Sequence, residues 1–160
     1  MKSDINTGRT LAVLIIEDSE TDAQLIVRLL RKADYDVVFE QVETAAQMHT
    51  ALEKGTWDIV ISDHSLPQFD SLAALRLLQE TRLDIPFIAV SGTMSEETAV
   101  TMMKAGANDY LNKANLTRLI PAIERELIQA KGRQEHRRAE AALARSEQAH
   151  KSLFENVPVG

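Results

Sequence analysis

Four of the five short apolar runs in the chain end at a side chain that could take part in ionic chemistry. The first run is followed by two acids, the third ends at an acid, the fourth at a hydroxyl and the fifth at an amine. These side chains are, in chain order, those of Glu17, Asp18, Asp63, Ser91 and Lys113. Consecutive apolar and β-branched residues are typical of strands that are buried on both faces. We therefore expect the five groups to lie at strand ends, where open α/β sheets place their ligand sites.

The three acids would repel one another strongly if they met at one edge of a sheet. Two like charges ~4 Å apart cost roughly 4 kcal/mol at an effective dielectric constant of about 20. Such a cluster requires a cation, and a set of ligands that are all oxygen favours Mg²⁺. The alternative is that one acid stays protonated, which would explain none of the other groups.

Together, the five groups have the chemistry of a site for phosphoryl transfer. Asp63 would be the nucleophile, Mg²⁺ would offset the negative charge, and Ser91 and Lys113 would bind the transferred group. The product would be an acyl phosphate, which is labile in water and suited to a transient signal. Each group alone is more often an ordinary turn or surface residue. Their occurrence at four strand ends in this order is what indicates a site.

Helix signals separate the apolar runs. Ser19 and Asp22 have the spacing of a capping box ahead of an apolar stripe. Thr44 and Ser95 are placed to cap later helices, and Gly106 is placed to end one of them. Strand and helix thus alternate five times in about 120 residues, which predicts a doubly wound α/β fold with a five-stranded parallel sheet and helices on both faces.

The composition changes from Lys131 onward, and residues 132–139 are polar and basic without proline. A weak four-three spacing follows, which is typical of a two-stranded coiled coil. Its positions are Ala139, Leu143, Ser146, His150 and Leu153. The apolar seam of the preceding helix does not continue in phase into this one, so we expect a local unwinding or a bend near Gly132. The final helix should therefore extend well beyond the sheet-forming part of the chain.

Composition and charge exclude several classes of protein. The chain has 160 residues, enough for one domain and an extension. Its net charge of −6 lacks the excess of positive charge that is typical of proteins that bind nucleic acids. There is no cysteine, which excludes disulfides, thiolate metal sites and cysteine nucleophiles. The apolar run Leu11–Ile16 is far too short to cross a membrane, and nothing indicates secretion. We expect a cytoplasmic protein.

Four motifs resemble those of response-regulator receiver domains of two-component signalling, and the resemblance covers roughly residues 9–130. The motifs are IIED at residues 15–18, DIVISD at 58–63 with LP at 66–67, VSG at 90–92, and GANDYLNK at 106–113. The resemblance implies that a sensor histidine kinase or phosphotransfer protein phosphorylates Asp63. It also implies a flavodoxin-like sheet with strand order 2-1-3-4-5.

The resemblance assigns roles to the other residues of the motifs. Glu17, Asp18, Asp63 and the backbone carbonyl of Ser65 would hold Mg²⁺. Ser91 and Lys113 would contact the phosphoryl group, and Tyr110 would be the aromatic switch residue that turns inward on activation. Ser91 would move with it and so share the role of switch. A receiver domain of this kind would also catalyse its own phosphorylation and dephosphorylation.

Three positions depart from the family pattern. The family lysine is usually followed by proline through a cis peptide, whereas Ala114 follows here, and a cis bond before alanine would cost about 2.5–4 kcal/mol. Ser71 stands in place of a loop glycine, and Glu17 replaces the commoner aspartate. We therefore expect a turn after Lys113 that differs from the usual one.

The C-terminal residues also resemble a known module. Residues 145–160, and Ser152–Gly160 in particular, are similar to the opening of a PAS sensor domain. This predicts a receiver domain at 9–130, a helical or coiled-coil linker at 131–150 and the truncated start of a PAS-like domain at 151–160. The chain would then be a fragment of a longer signalling protein, such as a hybrid kinase or a cyclic-dinucleotide enzyme. A homodimer through the C-terminal helix is part of the same expectation.

Two alternatives to a phosphoacceptor stay open at this point. One is a receiver-like interaction module that is never phosphorylated, since a fold does not imply a function. The other is an aspartyl-nucleophile phosphatase of the haloacid-dehalogenase type, which requires a second aspartate two residues after the nucleophile as general acid. Ser65 occupies that position, so the general acid is missing.

Overall fold

Strands and helices alternate along the chain in the computed structural model, which describes residues 9–93 and 95–155, with side chains up to residue 149. The strands are β1 (Thr10–Ile16), β2 (Asp36–Val42), β3 (Ile59–Asp63), β4 (Phe87–Ser91) and β5 (Asp109–Asn112). The helices are α1 (Glu20–Lys32), α2 (Ala45–Lys54), α3 (Ser71–Glu80), α4 (Glu96–Ala105) and α5 (Leu119–Glu155), and a 3-10 turn (Leu116–Arg118) precedes α5.

The strands form one parallel sheet in the order β2-β1-β3-β4-β5. The predicted doubly wound, flavodoxin-like fold and its strand order are confirmed. The register places Ile16 opposite Ser62, Asp63 opposite Val90, and Ser91 opposite Asn112. The carboxyl ends of β1, β3, β4 and β5 therefore lie side by side at one edge, where the residues that follow them can meet.

The two faces of the sheet are covered by different helices. Successive residues of a strand point to opposite faces, so β1 contributes to both layers. One layer includes Val13 and Ile15 with Ile26 of α1 and Ile123 of α5. The other includes Leu14 and Ile16 with Met48 of α2, Leu75 of α3 and Met102 of α4. Every residue of β3 and β4 is buried, which explains the consecutive apolar residues at the start of each strand.

Side chains fix where the helices begin. Ser19, Thr44 and Ser95 accept hydrogen bonds from the third residue after each of them, as predicted. Asp70 caps α3 in the same way. Gly106 ends α4 with φ of +115°, a left-handed conformation that favours glycine. The helices therefore start close to the same sheet edge at which the strands end.

The final helix α5 is continuous from Leu119 to Glu155. Its hydrogen-bonded backbone runs through Gly132, so of the local unwinding or bend predicted there, the unwinding is wrong. The chain divides into two compact units, Met1–Leu127 and Ile128–Gly160, and the division falls within this helix. In the second unit, every side chain from residue 131 to 149 is exposed. Residues 156–160, which hold part of the predicted PAS-like segment, lie outside the described residues.

Among the helices within the described part of the chain, none combines the length and the apolar composition that crossing a bilayer requires.

Candidate functional site

Three carboxylates meet at the carboxyl edge of the sheet. Glu17 and Asp18 follow β1, and Asp63 ends β3 on the neighbouring strand. One oxygen of each lies within 4.8 Å of the others. Glu17 and Asp63 are buried, at 1% and 6% exposure, whereas Asp18 is exposed. The structure therefore brings together the three acids that the sequence predicted to meet.

Glu17 is held in place by its backbone as well as its side chain. Its N–H donates to the carbonyl of Val42 at 3.0 Å, and Gln41 Nε2 donates to its carbonyl at 2.8 Å. Its Oε1 accepts the N–H of Ser19 at 3.1 Å. Burial raises the pKa of Glu17 to about 7, against the lowering effect of hydrogen bonds from Lys113 and Ser19. The side chain therefore gains or loses a proton near neutral pH.

Lys113 supplies a positive charge to this cluster. Its Nζ lies 2.7 Å from Glu17 Oε2, 2.9 Å from Asp22 Oδ2 and 3.2 Å from Asp63 Oδ2. Burial would lower the pKa of Lys113, but hydrogen bonds to Glu17 and Asp22 raise it above its ordinary value. The ammonium group is thus charged across the physiological range and offsets part of the repulsion among the acids.

The main chain around Lys113 explains how the amine reaches the acids. Its N–H donates to the carbonyl of Ser91 at 2.8 Å, which continues the pairing of β4 with β5. No cis peptide occurs between the described residues, so the Lys113–Ala114 bond is trans. Asn112 Oδ1 accepts the N–H of Ala114 at 2.9 Å and holds the turn. This agrees with the expectation that the turn differs from one containing a cis proline.

Asp22 belongs to this site, although its spacing from Ser19 predicts only the second half of a capping box. Its carboxylate contacts Lys113, and Glu17 accepts the N–H of Ser19 in its place. Only the Ser19 half of the box is formed. The signal in the sequence is the position of Asp22 in the first turn of α1, four residues after Asp18.

Ser91 is the last residue of β4, and Ser65 lies in the loop that follows β3. Ser91 Oγ donates to the carbonyl of Thr93 at 2.7 Å and accepts the N–H of Thr93 at 3.2 Å. The hydroxyl is therefore engaged within its own loop. The N–H of Ser65 donates to Asp63 Oδ1 at 3.1 Å, which holds that loop against the acid. One oxygen of Asp63 thus faces a peptide N–H and the other faces an ammonium group.

Tyr110 of β5 points into the protein and is only 3% exposed. Its hydroxyl is buried and has no hydrogen-bond partner among the described residues. The ring contacts the imidazole of His64 edge to face, with 5.8 Å between ring centroids. His64 Nδ1 is in turn hydrogen-bonded to Ser71 Oγ. His64 is a neighbour of the site that the sequence analysis did not select.

Comparison with known proteins places the chain among signalling domains. Residues 13–124 match the model of the response regulator receiver domain family. The chain is 30% identical over 107 residues to the autoinducer 2 sensor kinase/phosphatase LuxQ of Vibrio vulnificus. That match covers 66% of this chain but only 12% of LuxQ, so the chain spans about one eighth of this curated relative.

Two solved structures are similar over most of their length. The signal receiver domain of a putative Luxo repressor protein from Vibrio parahaemolyticus has a TM-score of 0.69 at 26% identity, and the match covers 78% of this chain and 95% of that one. The receiver domain of a sensor histidine kinase from Pseudomonas aeruginosa PAO1 has a TM-score of 0.61 at 25% identity, with 74% and 98% covered. The latter was solved with a magnesium ion coordinated in its active site cleft.

Proposed function

Because the chain belongs to the response regulator receiver domain family of two-component systems, we propose that it is a phosphoacceptor switch in which Asp63 receives the phosphoryl group. Receiver domains interact with histidine kinases or phosphotransfer proteins, and either would be the donor here. The observation that carries this proposal is the meeting of Glu17, Asp18 and Asp63 with Lys113 at one sheet edge. A buried carboxylate beside an ammonium group is suited to accepting an anionic group whose added charge is offset locally.

The acids fit a hard divalent cation. Three carboxylate oxygens within 4.8 Å of one another form an oxygen-only ligand set, which is the kind that Mg²⁺ prefers. Glu17, Asp18 and Asp63 would hold the ion, with the carbonyl of Ser65 as a further ligand. The N–H of Ser65 donates a hydrogen bond to Asp63 Oδ1, which keeps the loop after β3 beside the acid and supports this assignment. When bound, Mg²⁺ would supply positive charge beside the oxygens of the phosphoryl group.

The transfer itself would be a displacement at phosphorus. A carboxylate oxygen of Asp63 forms the new P–O bond, the P–N bond to the donor histidine breaks, and the imidazole leaves with the bonding electron pair. Lys113, 3.2 Å from Asp63 Oδ2, would pair with an oxygen of the transferred group. Ser91 would exchange its hydrogen bond with Thr93 for one to a phosphoryl oxygen. The side chains of Asp63, Ser91 and Lys113 are the proposed site residues for phosphorylation and dephosphorylation.

The signal would leave through the face formed by α4, β5 and α5. Tyr110 lies on β5 and is buried, as the proposed switch requires in its inward state. Beyond the receiver domain, the exposed helix of residues 131–149 would act as a linker to a downstream PAS-like output domain and could pair with a second copy. The domain boundaries at 130 and 150 belong to this proposal.

The two alternatives receive less support. A haloacid-dehalogenase-type phosphatase requires an acid two residues after the nucleophile, and Ser65 at that position offers its N–H to Asp63. An interaction module without phosphorylation would not require buried acids to converge on one lysine, because taking charges out of water costs free energy that binding a partner at another surface does not call for.

The proposal is tested by intact-protein mass spectrometry after incubation with Mg²⁺ and acetyl phosphate. We expect the mass of one phosphoryl group to be added to the wild-type protein, and no addition to Asp63→Ala or to a sample treated with a chelator. Asp70→Ala is a matched control, because Asp70 caps α3 and lies outside the acid cluster. It should be phosphorylated like the wild type.

Beryllofluoride separates a short-lived adduct from a site that cannot form one. A protein that shows no adduct but binds Mg²⁺ and responds to beryllofluoride would still be a phosphoacceptor with a brief phosphorylated state. A protein that shows no adduct, no Mg²⁺ binding and no response to beryllofluoride would be an interaction module, and the proposed function would be wrong.

A further inference from the structure

Lys113 cannot keep all its present partners when a divalent cation binds. Its Nζ contacts Glu17 at 2.7 Å and Asp63 at 3.2 Å, and these two acids belong to the cluster whose oxygens could hold a metal. An ammonium group and a metal ion repel each other and compete for the same oxygens. Binding of the metal must therefore weaken two of the three ion pairs that hold Lys113.

Asp22 is the third partner, and it lies outside that cluster. Its Oδ2 accepts a hydrogen bond from Lys113 Nζ at 2.9 Å, and its side chain is 41% exposed. The main chain of Asp22 is held by the cap of α1. Its N–H donates to Ser19 Oγ at 3.2 Å, which caps α1. A rigid first turn of a helix thus presents a carboxylate that can hold the lysine from outside the cluster.

We propose that Asp22 is a positioning residue that retains Lys113 beside the site when a divalent cation occupies Glu17 and Asp63. This inference rests on the proposed magnesium site. A lysine side chain has four rotatable bonds and loses considerable freedom when its amine is held. Without Asp22, the ammonium group would either compete with the metal for the oxygens of Glu17 and Asp63 or move into solvent. With Asp22, it can release those oxygens to the metal and still lie within reach of a phosphoryl group on Asp63.

The effect of Asp22 on metal binding should depend on Lys113. Asp22→Asn removes the carboxylate that pairs with Lys113 outside the acid cluster, so Lys113 should bind Glu17 and Asp63 more firmly and oppose the metal. We expect Mg²⁺ to bind about fivefold more weakly, in line with the loss of one partly exposed ion pair. A carboxylate that acted only through its own charge would lower the affinity whether or not Lys113 were present.

A double-mutant cycle separates these two effects. The dissociation constant of Mg²⁺ is measured by amide NMR titration for the wild type, Asp22→Asn, Lys113→Met and the double variant. We expect a weakening of about fivefold from Asp22→Asn in the wild-type background and at most about twofold in the Lys113→Met background. Glu20→Gln is a matched control in the same helical turn, where Glu20 is exposed, and should also stay within about twofold.

A second readout follows the lysine itself. In protein saturated with Mg²⁺, the side-chain ammonium resonance of Lys113 should remain observable in the wild type and in Glu20→Gln, because a hydrogen-bonded ammonium group exchanges slowly with water. It should be lost in Asp22→Asn. Equal effects of Asp22→Asn in both backgrounds, or a Lys113 resonance that Asp22→Asn leaves unchanged, would overturn the inference. Failure of the wild-type protein to bind Mg²⁺ would instead refute the proposed magnesium site.

Discussion

The ionisation of Glu17 should make the binding of Mg²⁺ depend on pH near neutrality. Glu17 is 1% exposed, and its burial raises its pKa to about 7. Metal ions bind the deprotonated form of a ligand, so a cation that binds Glu17 must displace its proton whenever the acid is protonated. The affinity for Mg²⁺ should therefore rise with pH, and the rise should be centred at about pH 7.

The size of the effect follows from the fraction of Glu17 that is ionised. With a pKa of about 7, roughly one molecule in ten carries the charge at about pH 6 and nine in ten at about pH 8. The apparent dissociation constant of Mg²⁺ should fall about tenfold over this interval. An acid with the ordinary pKa of 4.5 would change it by only a few per cent. Lys113 does not contribute, because its pKa lies above its ordinary value and it stays charged.

Amide NMR titration with Mg²⁺ at several pH values measures this dependence. The carboxylates that face the same site are those of Asp18, Asp22 and Asp63, and the imidazole of His64 follows Asp63 in the chain. His64→Gln is the control, because it changes the residue next to Asp63 but none of the acids, and it should keep the tenfold change. Glu17→Gln should bind Mg²⁺ more weakly and show no such change. A wild-type constant that is flat over this pH range, or a slope that survives in Glu17→Gln, would refute the reasoning.

Three further expectations concern packing, helix formation and charge balance. Met102 is 1% exposed and Met103 is 46% exposed. In urea unfolding, Met102→Ala should therefore lower the free energy of unfolding by about 2–4 kcal/mol and Met103→Ala by under about 0.5 kcal/mol. Equal losses would show that burial does not decide the difference. Gly132→Ala should raise the free energy of unfolding by up to about 1 kcal/mol and raise the helicity measured by circular dichroism, because alanine favours a helix more than glycine does. The added Cβ would meet nothing within 4 Å. A lower thermal midpoint would count against this prediction. Lys113→Met should lower the thermal midpoint in the presence of a chelator, because the acids lose their positively charged neighbour. Added Mg²⁺ should restore part of the midpoint by binding the folded protein. An unchanged midpoint in chelator would show that the lysine does not balance the acids.

The fold and the acid cluster were predictable because their signals are local. The sequence of β3 is apolar from Ile59 to Ile61, and burial of the whole strand on both faces explains that pattern. Ser19, Thr44 and Ser95 mark helix starts because each offers an oxygen to a backbone N–H three residues later. Once the strands are parallel, their carboxyl ends must share one edge, and the acids meet there.

The direction in which a long side chain turns could not be predicted in the same way. Asp22 and Lys113 are 91 residues apart in the chain, and no spacing rule indicates that they meet. Ser91 ends β4, and no pattern in the sequence indicates that its hydroxyl bonds to the backbone of Thr93. The unwinding expected near Gly132 is absent. The apolar positions change phase there, but the backbone hydrogen bonds of a helix form whichever face carries the apolar side chains.

The cation and the anions of this site belong to parts of the sheet with different resistance to local opening. Lys113 follows β5, a four-residue strand at the border of the sheet. Glu17 and Asp63 belong to the interior strands β1 and β3. A strand at the border loses hydrogen bonds to one neighbouring strand when it opens, whereas an interior strand loses those to two, so the border strand opens at lower free energy. Fraying of β5 would withdraw the ammonium group and leave the carboxylates in place, so the electrostatic potential of the pocket is coupled to the conformational fluctuations of one short peripheral strand.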